Sequence, residues 1–231
     1  MGSNYIFLKV LAFTLLALIA GIYLTSLKDP NAAHAGFPWQ VSVLESGHTQ
    51  VFSLTIGQST LGEAEKQFKE VSEVTLFSAA NTPLVIEAFF GEVKIGGLKS
   101  KMVMLIDASQ TELEAMFNRG ARIATLGSGT RKVTLSSEDT KRVRQLAIKS
   151  ITYLPSVNLS AELIEKRFGI PAEKIADSAS DAIHWLYPDK GVDIALSDEN
   201  KEVIQYVMPQ KFDTLVKPLK AAPKIDDLQA E

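Results

Sequence analysis

The sequence predicts an α+β fold, in which an N-terminal transmembrane helix is followed by two small units, each a helix with a three-stranded antiparallel sheet. Three observations lead to this prediction. The chain of 231 residues is 46% hydrophobic and 22% charged, values typical of a chain that buries a core. Residues 10–27 contain no charged side chain. Two hydroxyl-capped helix patterns begin 100 residues apart, at Thr60 and Ser160, and three strand-like runs follow each of them.

The uncharged stretch at 10–27 is long enough to suggest a membrane anchor. As a helix it would rise about 1.5 Å per residue and approach the roughly 30 Å hydrocarbon core of a bilayer. Lys9 lies at its start, where its ammonium group can reach the lipid headgroups. The alternative is a cleaved signal peptide, because the small residues Ala33 and Ala35 precede a possible cleavage site before Gly36.

Charge and composition predict the orientation and the domain boundaries. Lys9 and the amino terminus lie on one side of the apolar stretch, and Lys28 is offset by Asp29, so the N-terminus is expected in the cytoplasm. The bulk of the chain is then expected outside it. The predicted divisions are an anchor or signal peptide at 1–27, a linker at 28–38, a first α+β unit at 39–135, a second at 136–208 and a flexible tail at 209–231.

The first unit is predicted from alternation and capping. Apolar residues alternate over 51–56, which indicates a strand. Thr60 and Glu63 form a capping-box pattern, so a helix is expected to begin there. A second short helix is expected from Ser109 to Gly120. The remaining predicted strands lie at 74–77, 84–90, 101–106, 122–126 and 131–135.

The second unit is predicted in the same way. A helix is expected over 137–148 and another over 160–168, the latter ended by Gly169 and Pro171. Strands are expected at 182–187, 192–196 and 203–208. The offset of 100 also aligns Glu65-Lys66-Gln67-Phe68 with Glu165-Lys166-Arg167-Phe168, which suggests an internal repeat.

The second unit resembles a known family. Ser160 caps a helix that ends in Gly169-Ile170-Pro171, and His184-Trp185-Leu186-Tyr187 follows in a strand. This order resembles the SmpA/OmlA (BamE-like) module, and tandem copies of a similar unit occur in beta-lactamase inhibitory proteins. The resemblance implies two small helices beside a three-stranded sheet, and a binding or scaffolding role in the bacterial envelope. The chain departs from the lipoprotein members because it has no cysteine to acylate.

Motifs for catalysis, metals and cofactors are missing from the sequence. There is no cysteine, and the three histidines do not form a metal-binding pair. No nucleophile elbow or phosphate-binding loop occurs. We therefore expect no catalytic, cofactor-binding or metal-ligating residues and no cofactor. The net charge of −3 also argues against a nucleic-acid partner.

Two groups of residues are candidates for partner binding. Trp185 and Tyr187 are two apart, so they share one face of a strand. That face is either an exposed binding patch or part of the core. Lys141, Arg142 and Arg144 lie in a segment of local net charge +4, which is either a basic docking ridge or a solvated helix face.

These observations favour a non-enzymatic envelope protein. It would be anchored in the bacterial inner membrane through 10–27, with its bulk in the periplasm, and would bind or scaffold a protein partner, as an accessory subunit of an inner-membrane complex. One alternative is a wall- or lipid-acting hydrolase, which would need two acidic side chains in one cleft. Another is a soluble periplasmic inhibitor or ligand-binding protein.

Overall fold

Strands dominate this computed structural model, which describes residues 36–177, 180–197 and 201–221. Apart from Gly36, these residues belong to one compact unit that begins at Phe37. The strands are β1 (Ser42–Val43), β2 (Thr49–Val51), β3 (Leu54–Thr55), β4 (Glu73–Ser78), β5 (Val85–Ile95), β6 (Leu98–Ile106), β7 (Arg122–Thr125), β8 (Arg131–Thr134), β9 (Ile148–Pro155), β10 (Glu173–Ala176), β11 (Ile183–Tyr187), β12 (Val192–Leu196) and β13 (Val203–Tyr206). The helices are α1 (Leu61–Phe68), α2 (Gln110–Asn118), α3 (Ser137–Val143), α4 (Ala161–Phe168) and α5 (Asp213–Ala221).

Ten of these strands form one sheet, which corrects the predicted fold class. The order across the sheet is β10-β11-β12-β13-β9-β6-β5-β4-β8-β7, and every neighbouring pair is antiparallel. The prediction of an α+β fold with two separate three-stranded units is therefore wrong. The described part of the chain is mostly β, and 38% of its residues lie in strands.

The strand β9, which was not predicted from the sequence, joins two halves of the large sheet: β10 to β13 on one side, and β6, β5, β4, β8 and β7 on the other. β9 pairs with β6 on one side and with β13 on the other. The helix predicted at 137–148 ends at Val143, and β9 begins at Ile148. β6 and β13 would be edge strands without β9. Because β9 forms hydrogen bonds with both, neither of them exposes an unpaired edge.

The transmembrane prediction is also corrected. The stretch at 10–27 lies outside the described residues. Among the ranges that are described, no helix is long and apolar enough to cross a membrane. The longest of the described helices, α2 and α5, have nine residues each, and rise only about 14 Å against the roughly 30 Å of a hydrocarbon core. The described residues therefore give no support to a transmembrane helix.

The two helices of the repeat lie at the predicted offset. Thr60 accepts a hydrogen bond from the backbone N–H of Glu63, whose carboxylate accepts one from the Thr60 N–H, and this capping box starts α1. Ser160 accepts a hydrogen bond from the backbone N–H of Leu163 and starts α4. The local signals thus fixed both helix starts, although they gave no information about how the strands join.

The large sheet has an inner face against which the core packs. One row of paired residues on this face runs through Phe90, Met102, Tyr153, Ile204, Ile194 and Trp185. All six are buried. Phe68 of α1 packs edge-on against Phe90, and Phe168 of α4 lies 5.9 Å from Tyr187 between ring centroids. Both helices therefore pack against the inner face.

A small sheet of β1, β2 and β3 also contributes to this core. The predicted strand at 51–56 is split by a tight turn, because Phe52 and Ser53 have positive φ angles of 54° and 60°. The turn places the Phe52 ring against the rings of Tyr153 and Tyr206, at 5.3 and 5.5 Å between centroids. An aromatic side chain thus occupies a turn position that usually favours glycine or asparagine.

The outer face is covered in part by the C-terminal helix. Phe212, just before α5, packs with Leu186 and Val207 in a second buried cluster. Lys220 of α5 forms an ion pair with Glu173 at 3.2 Å. The segment predicted as a flexible tail from 209 onward thus includes a helix that packs on the outer face, and 222–231 lie outside the described residues.

Candidate functional site

Two cavities flank one end of the β11–β12 hairpin. Side chains alternate along β11, so Trp185 lies on the inner face of the sheet and His184 on the outer face. A cavity of about 430 Å³ lies on the inner side, and we call it the Trp185 cavity. A cavity of about 310 Å³ lies on the outer side, and we call it the His184 cavity. Asp181 and Ser197 line both.

The Trp185 cavity has one apolar and one polar set of lining residues. The apolar set is Leu159, Ala161, Ile183, Trp185 and Leu196. The polar set is Asn158, Ser160, Asp181, Ser197 and Glu202. The lining is therefore divided evenly between polar and apolar residues, so that polar groups could fix the orientation of a ligand while apolar side chains cover its stem.

Local structure positions these side chains. Ile183 and Leu196 are directly paired in the β11–β12 ladder, so their side chains lie on the same face. Ser160 caps α4, which holds the start of that helix at the cavity. Ser197 donates a hydrogen bond to Asp181 and ties the end of β12 to the loop before β11.

Glu202 is the unusual member of the set. Its residue is 6% exposed, and its Oε2 atom is buried without a hydrogen-bond partner among the described residues. Strand alternation from Ile204 and Tyr206 places Glu202 on the inner face, toward the Trp185 cavity. A buried acceptor that lacks a donor is destabilising, so it requires an explanation.

A histidine–aspartate pair dominates the His184 cavity. His184 Nδ1 lies 2.8 Å from Asp193 Oδ2, and Asp193 is 1% exposed. Burial lowers the pKa of His184, but the hydrogen bond and charge of Asp193, with the charge of Asp177, outweigh it and raise the pKa above its ordinary value. Lys201 lines the same cavity and donates a hydrogen bond to the Ser156 carbonyl.

The His184–Asp193 pair holds two of the three groups of a catalytic triad. The third group, a nucleophilic hydroxyl on the other ring nitrogen, is not seen among the described residues: the hydrogen bonds of the His184 ring go to Asp193. In the part of the chain that the structure describes, no group of three or more histidine, aspartate or glutamate side chains could hold a metal ion.

The two aromatic residues predicted to bind a partner lie in the core. Trp185 and Tyr187 are each 5% exposed. Lys174 Nζ lies 3.5 Å from the centroid of the Trp185 ring. The Tyr187 hydroxyl donates a hydrogen bond to the Gly169 carbonyl at 2.9 Å. Burial, with a contribution from the charge of Glu165, raises the pKa of Tyr187 to about 12. Trp185 reaches the candidate site as part of its wall, and Tyr187 is not among its lining residues.

The three predicted basic residues lie at α3, away from both cavities. Each is paired with an acidic side chain. Arg142 Nε lies 2.9 Å from Glu112, Arg144 Nε lies 2.8 Å from Glu65, and Lys141 Nζ lies 3.9 Å from Glu138. Glu112 and Glu65 lie on α2 and α1, outside the segment whose net charge was counted. They therefore offset part of the positive charge that the local sequence indicated. A role of the three residues in partner binding stays a prediction.

Sequence reasoning missed Asp181 and Glu202. Neither belongs to a motif, and they are brought together only when β11 and β13 flank β12 in the sheet. The alternation of 202, 204 and 206 was a usable signal, because it places a glutamate in line with two buried apolar residues.

Comparisons with known proteins do not assign the chain to a family. No family model matches it, and no curated protein matches it. Among solved structures it is similar to a DUF4309 family protein (YjgB) from Bacillus subtilis, with 12% sequence identity and a TM-score of 0.37, over 76% of this chain and 90% of that chain. A similarity at this level carries no argument about the site. None of these comparisons supports the resemblance to the SmpA/OmlA module.

Proposed function

We propose that this chain is a non-enzymatic binding protein that takes a group of its partner into the Trp185 cavity. The observation that carries the proposal is the buried Glu202 Oε2 atom, which lacks a donor among the described residues and lines a cavity of about 430 Å³. An unsatisfied buried carboxylate oxygen is destabilising, and a ligand that donates a hydrogen bond to it would remove that destabilisation.

The exposed apolar surface of the site supports the same proposal. Ile183 is 46% exposed at the cavity although it is a large apolar residue. Leu196 is paired with it and is half-buried. A bound group that covers both side chains would remove apolar surface from water, which adds to the affinity. A protein partner in the bacterial envelope stays a prediction from the sequence.

The proposal can be tested by NMR with ¹⁵N-labelled protein. The probes are four small compounds: an alkylamine, an alkyl carboxylate, a neutral amide and a monosaccharide. We expect at least one of them to shift the amide signals of 158–161 and 196–197. Ala161→Trp, which fills the cavity from the exposed start of α4, should abolish the shifts. Lys166→Trp, on the same helix but outside the lining residues, should leave them unchanged. The absence of shifts at the cavity with all four probes would contradict the proposal.

A carboxylate-pair hydrolase is the second candidate. The observation that favours it is that Asp181 and Glu202 line one cavity, as the acid and base of such an enzyme must. The test is release of reducing ends from a cell-wall glycan by the purified protein. Turnover that is lost in both Asp181→Asn and Glu202→Gln would establish this candidate in place of the binding protein, and we expect no turnover.

A further inference from the structure

We infer that the Trp185 cavity is selective for an aliphatic ammonium group, as presented by the lysine side chain of a partner protein. The inference rests on the proposed function and names the chemistry of its ligand. The first argument is charge: the lining includes the carboxylates of Asp181 and Glu202 and, among the described residues, no lysine, arginine or histidine. An anionic ligand would be repelled by both carboxylates, whereas a cationic ligand is attracted by them.

The second argument is the need for a hydrogen-bond donor. Glu202 Oε2 accepts no hydrogen bond from the described residues. A carboxylate or ether ligand has only acceptors and would leave this oxygen unpaired. An ammonium group has three donors and no acceptor, so it can serve Oε2 and still donate to the carboxylate of Asp181 or the amide oxygen of Asn158. Such a charge-assisted bond is about twice as strong as a neutral one.

The third argument is the apolar part of the lining. Leu159, Ile183 and Leu196 supply aliphatic wall to the same cavity as the two carboxylates. A lysine side chain has a matching composition, because a four-carbon stem carries its charge. The stem can cover the exposed Ile183 while the ammonium group reaches Glu202. A sugar would leave these aliphatic side chains facing hydroxyl groups, so it fits this set of residues less well.

The experiment compares two probes that differ in the ammonium group alone. Nα-acetyl-lysine methylamide and Nα-acetyl-norleucine methylamide have the same backbone and similar stems. Each is titrated into the full-length ¹⁵N-labelled protein at neutral pH, and Kd is taken from the amide shifts. We expect the lysine probe to bind at least about tenfold more tightly than the norleucine probe, from the strength of a charge-assisted hydrogen bond.

Two variants locate the charge that is recognised. Glu202→Gln should weaken the lysine probe at least about tenfold and leave the norleucine probe unchanged. Glu114→Gln, at an exposed site on α2 outside the cavity, is the matched control and should leave both unchanged. Asp181→Asn is a second variant, and it keeps the test available if the first fails to fold. Circular dichroism spectra check the fold of each.

The outcomes separate this inference from the proposed function. Equal binding of the two probes, or lysine binding that Glu202→Gln does not weaken, would overturn the inference. If a neutral amide or a monosaccharide binds at the cavity and the lysine probe does not, the inference fails while the binding function stands. n-Butylammonium distinguishes a lysine side chain of a partner from a free amine. If n-butylammonium binds more weakly than the lysine probe, a peptide partner is supported; if it binds more tightly, the assignment to a lysine side chain is overturned.

Discussion

Replacing Glu202 by methionine should make the unliganded protein more stable. This is the opposite of the usual effect of a substitution at a buried position, since most point substitutions destabilise. Glu202 is 6% exposed, and its Oε2 atom has lost water without gaining a donor among the described residues. Methionine has a similar length and flexibility and no group that requires a hydrogen bond, so it removes the unsatisfied oxygen without opening a large cavity.

The size of the effect follows from the unpaired oxygen. Leaving a buried donor or acceptor unsatisfied costs about 1–3 kcal/mol. We therefore expect Glu202→Met to raise the free energy of unfolding by about 1–3 kcal/mol. For a protein of this size each kcal/mol corresponds to roughly 2–4 °C in Tm. Such a gain would indicate that the wild-type residue is retained for binding at a cost in stability, as occurs at functional sites.

The assay is urea denaturation at neutral pH, followed by far-ultraviolet circular dichroism. Glu114→Met, at an exposed site on α2, is the control and should change the free energy of unfolding by no more than about 0.5 kcal/mol. A loss of more than about 1 kcal/mol in Glu202→Met, with the control unchanged, would show that the carboxylate is satisfied within the free protein. Glu202 Oε2 would then need no donor from a ligand.

Three further predictions concern the rest of the fold. Because the pKa of His184 is raised in the folded protein, its pairing with Asp193 contributes its full stabilisation below the unfolded-state pKa of about 6.5, and this contribution is lost as pH rises through the folded-state pKa. In Asp193→Asn, NMR titration should show the pKa of His184 below its ordinary value, because the burial that lowers it remains. Phe52→Ala should lower the free energy of unfolding by about 3–5 kcal/mol in urea denaturation, because it empties a site between two aromatic rings. Lys69→Gly should raise it by about 0.5–1 kcal/mol, while Lys69→Ala should not, because the residue after α1 has φ 55°.

Local signals predicted the local elements of this fold well. The hydroxyl groups of Thr60 and Ser160 and the residues around them marked the starts of α1 and α4, because a helix cap is determined within one turn. β7 and β8 lie where strands were predicted, at 122–126 and 131–135, and they pair as a hairpin. These features depend on contacts between residues close in sequence.

Pairing between distant strands was not accessible in the same way. β9 reads IKSITYLP, and the alternation of its buried residues Ile151, Tyr153 and Pro155 fits an extended segment. Nothing in this local pattern predicts that β9 pairs with β6 and β13, which lie about 50 residues before and after it in the chain. A β-sheet is defined by such non-local pairs, so local periodicity gave strands without their order.

The candidate site was missed for a related reason. Trp185 was predicted as a partner-binding residue. In the structure it is buried, its ring contacts Lys174, and it forms part of the cavity wall. Asp181 and Glu202 belong to no sequence motif, and neither was predicted from the sequence as a site residue. Their meeting in one cavity depends on β11, β12 and β13 being adjacent in the sheet. Burial of a single carboxylate is a property of the folded chain, which composition and spacing do not reveal.

The most direct test is a crystal structure of the protein with Nα-acetyl-lysine methylamide bound, compared with the free protein at high resolution. The binding proposal and its ligand chemistry predict that the ammonium nitrogen lies about 2.7–2.9 Å from Glu202 Oε2, with the stem against Ile183 and Leu196. In the free protein that oxygen should have no protein donor. A donor from the chain itself on Oε2 in the free protein, or a bound probe whose nitrogen lies elsewhere, would contradict the account.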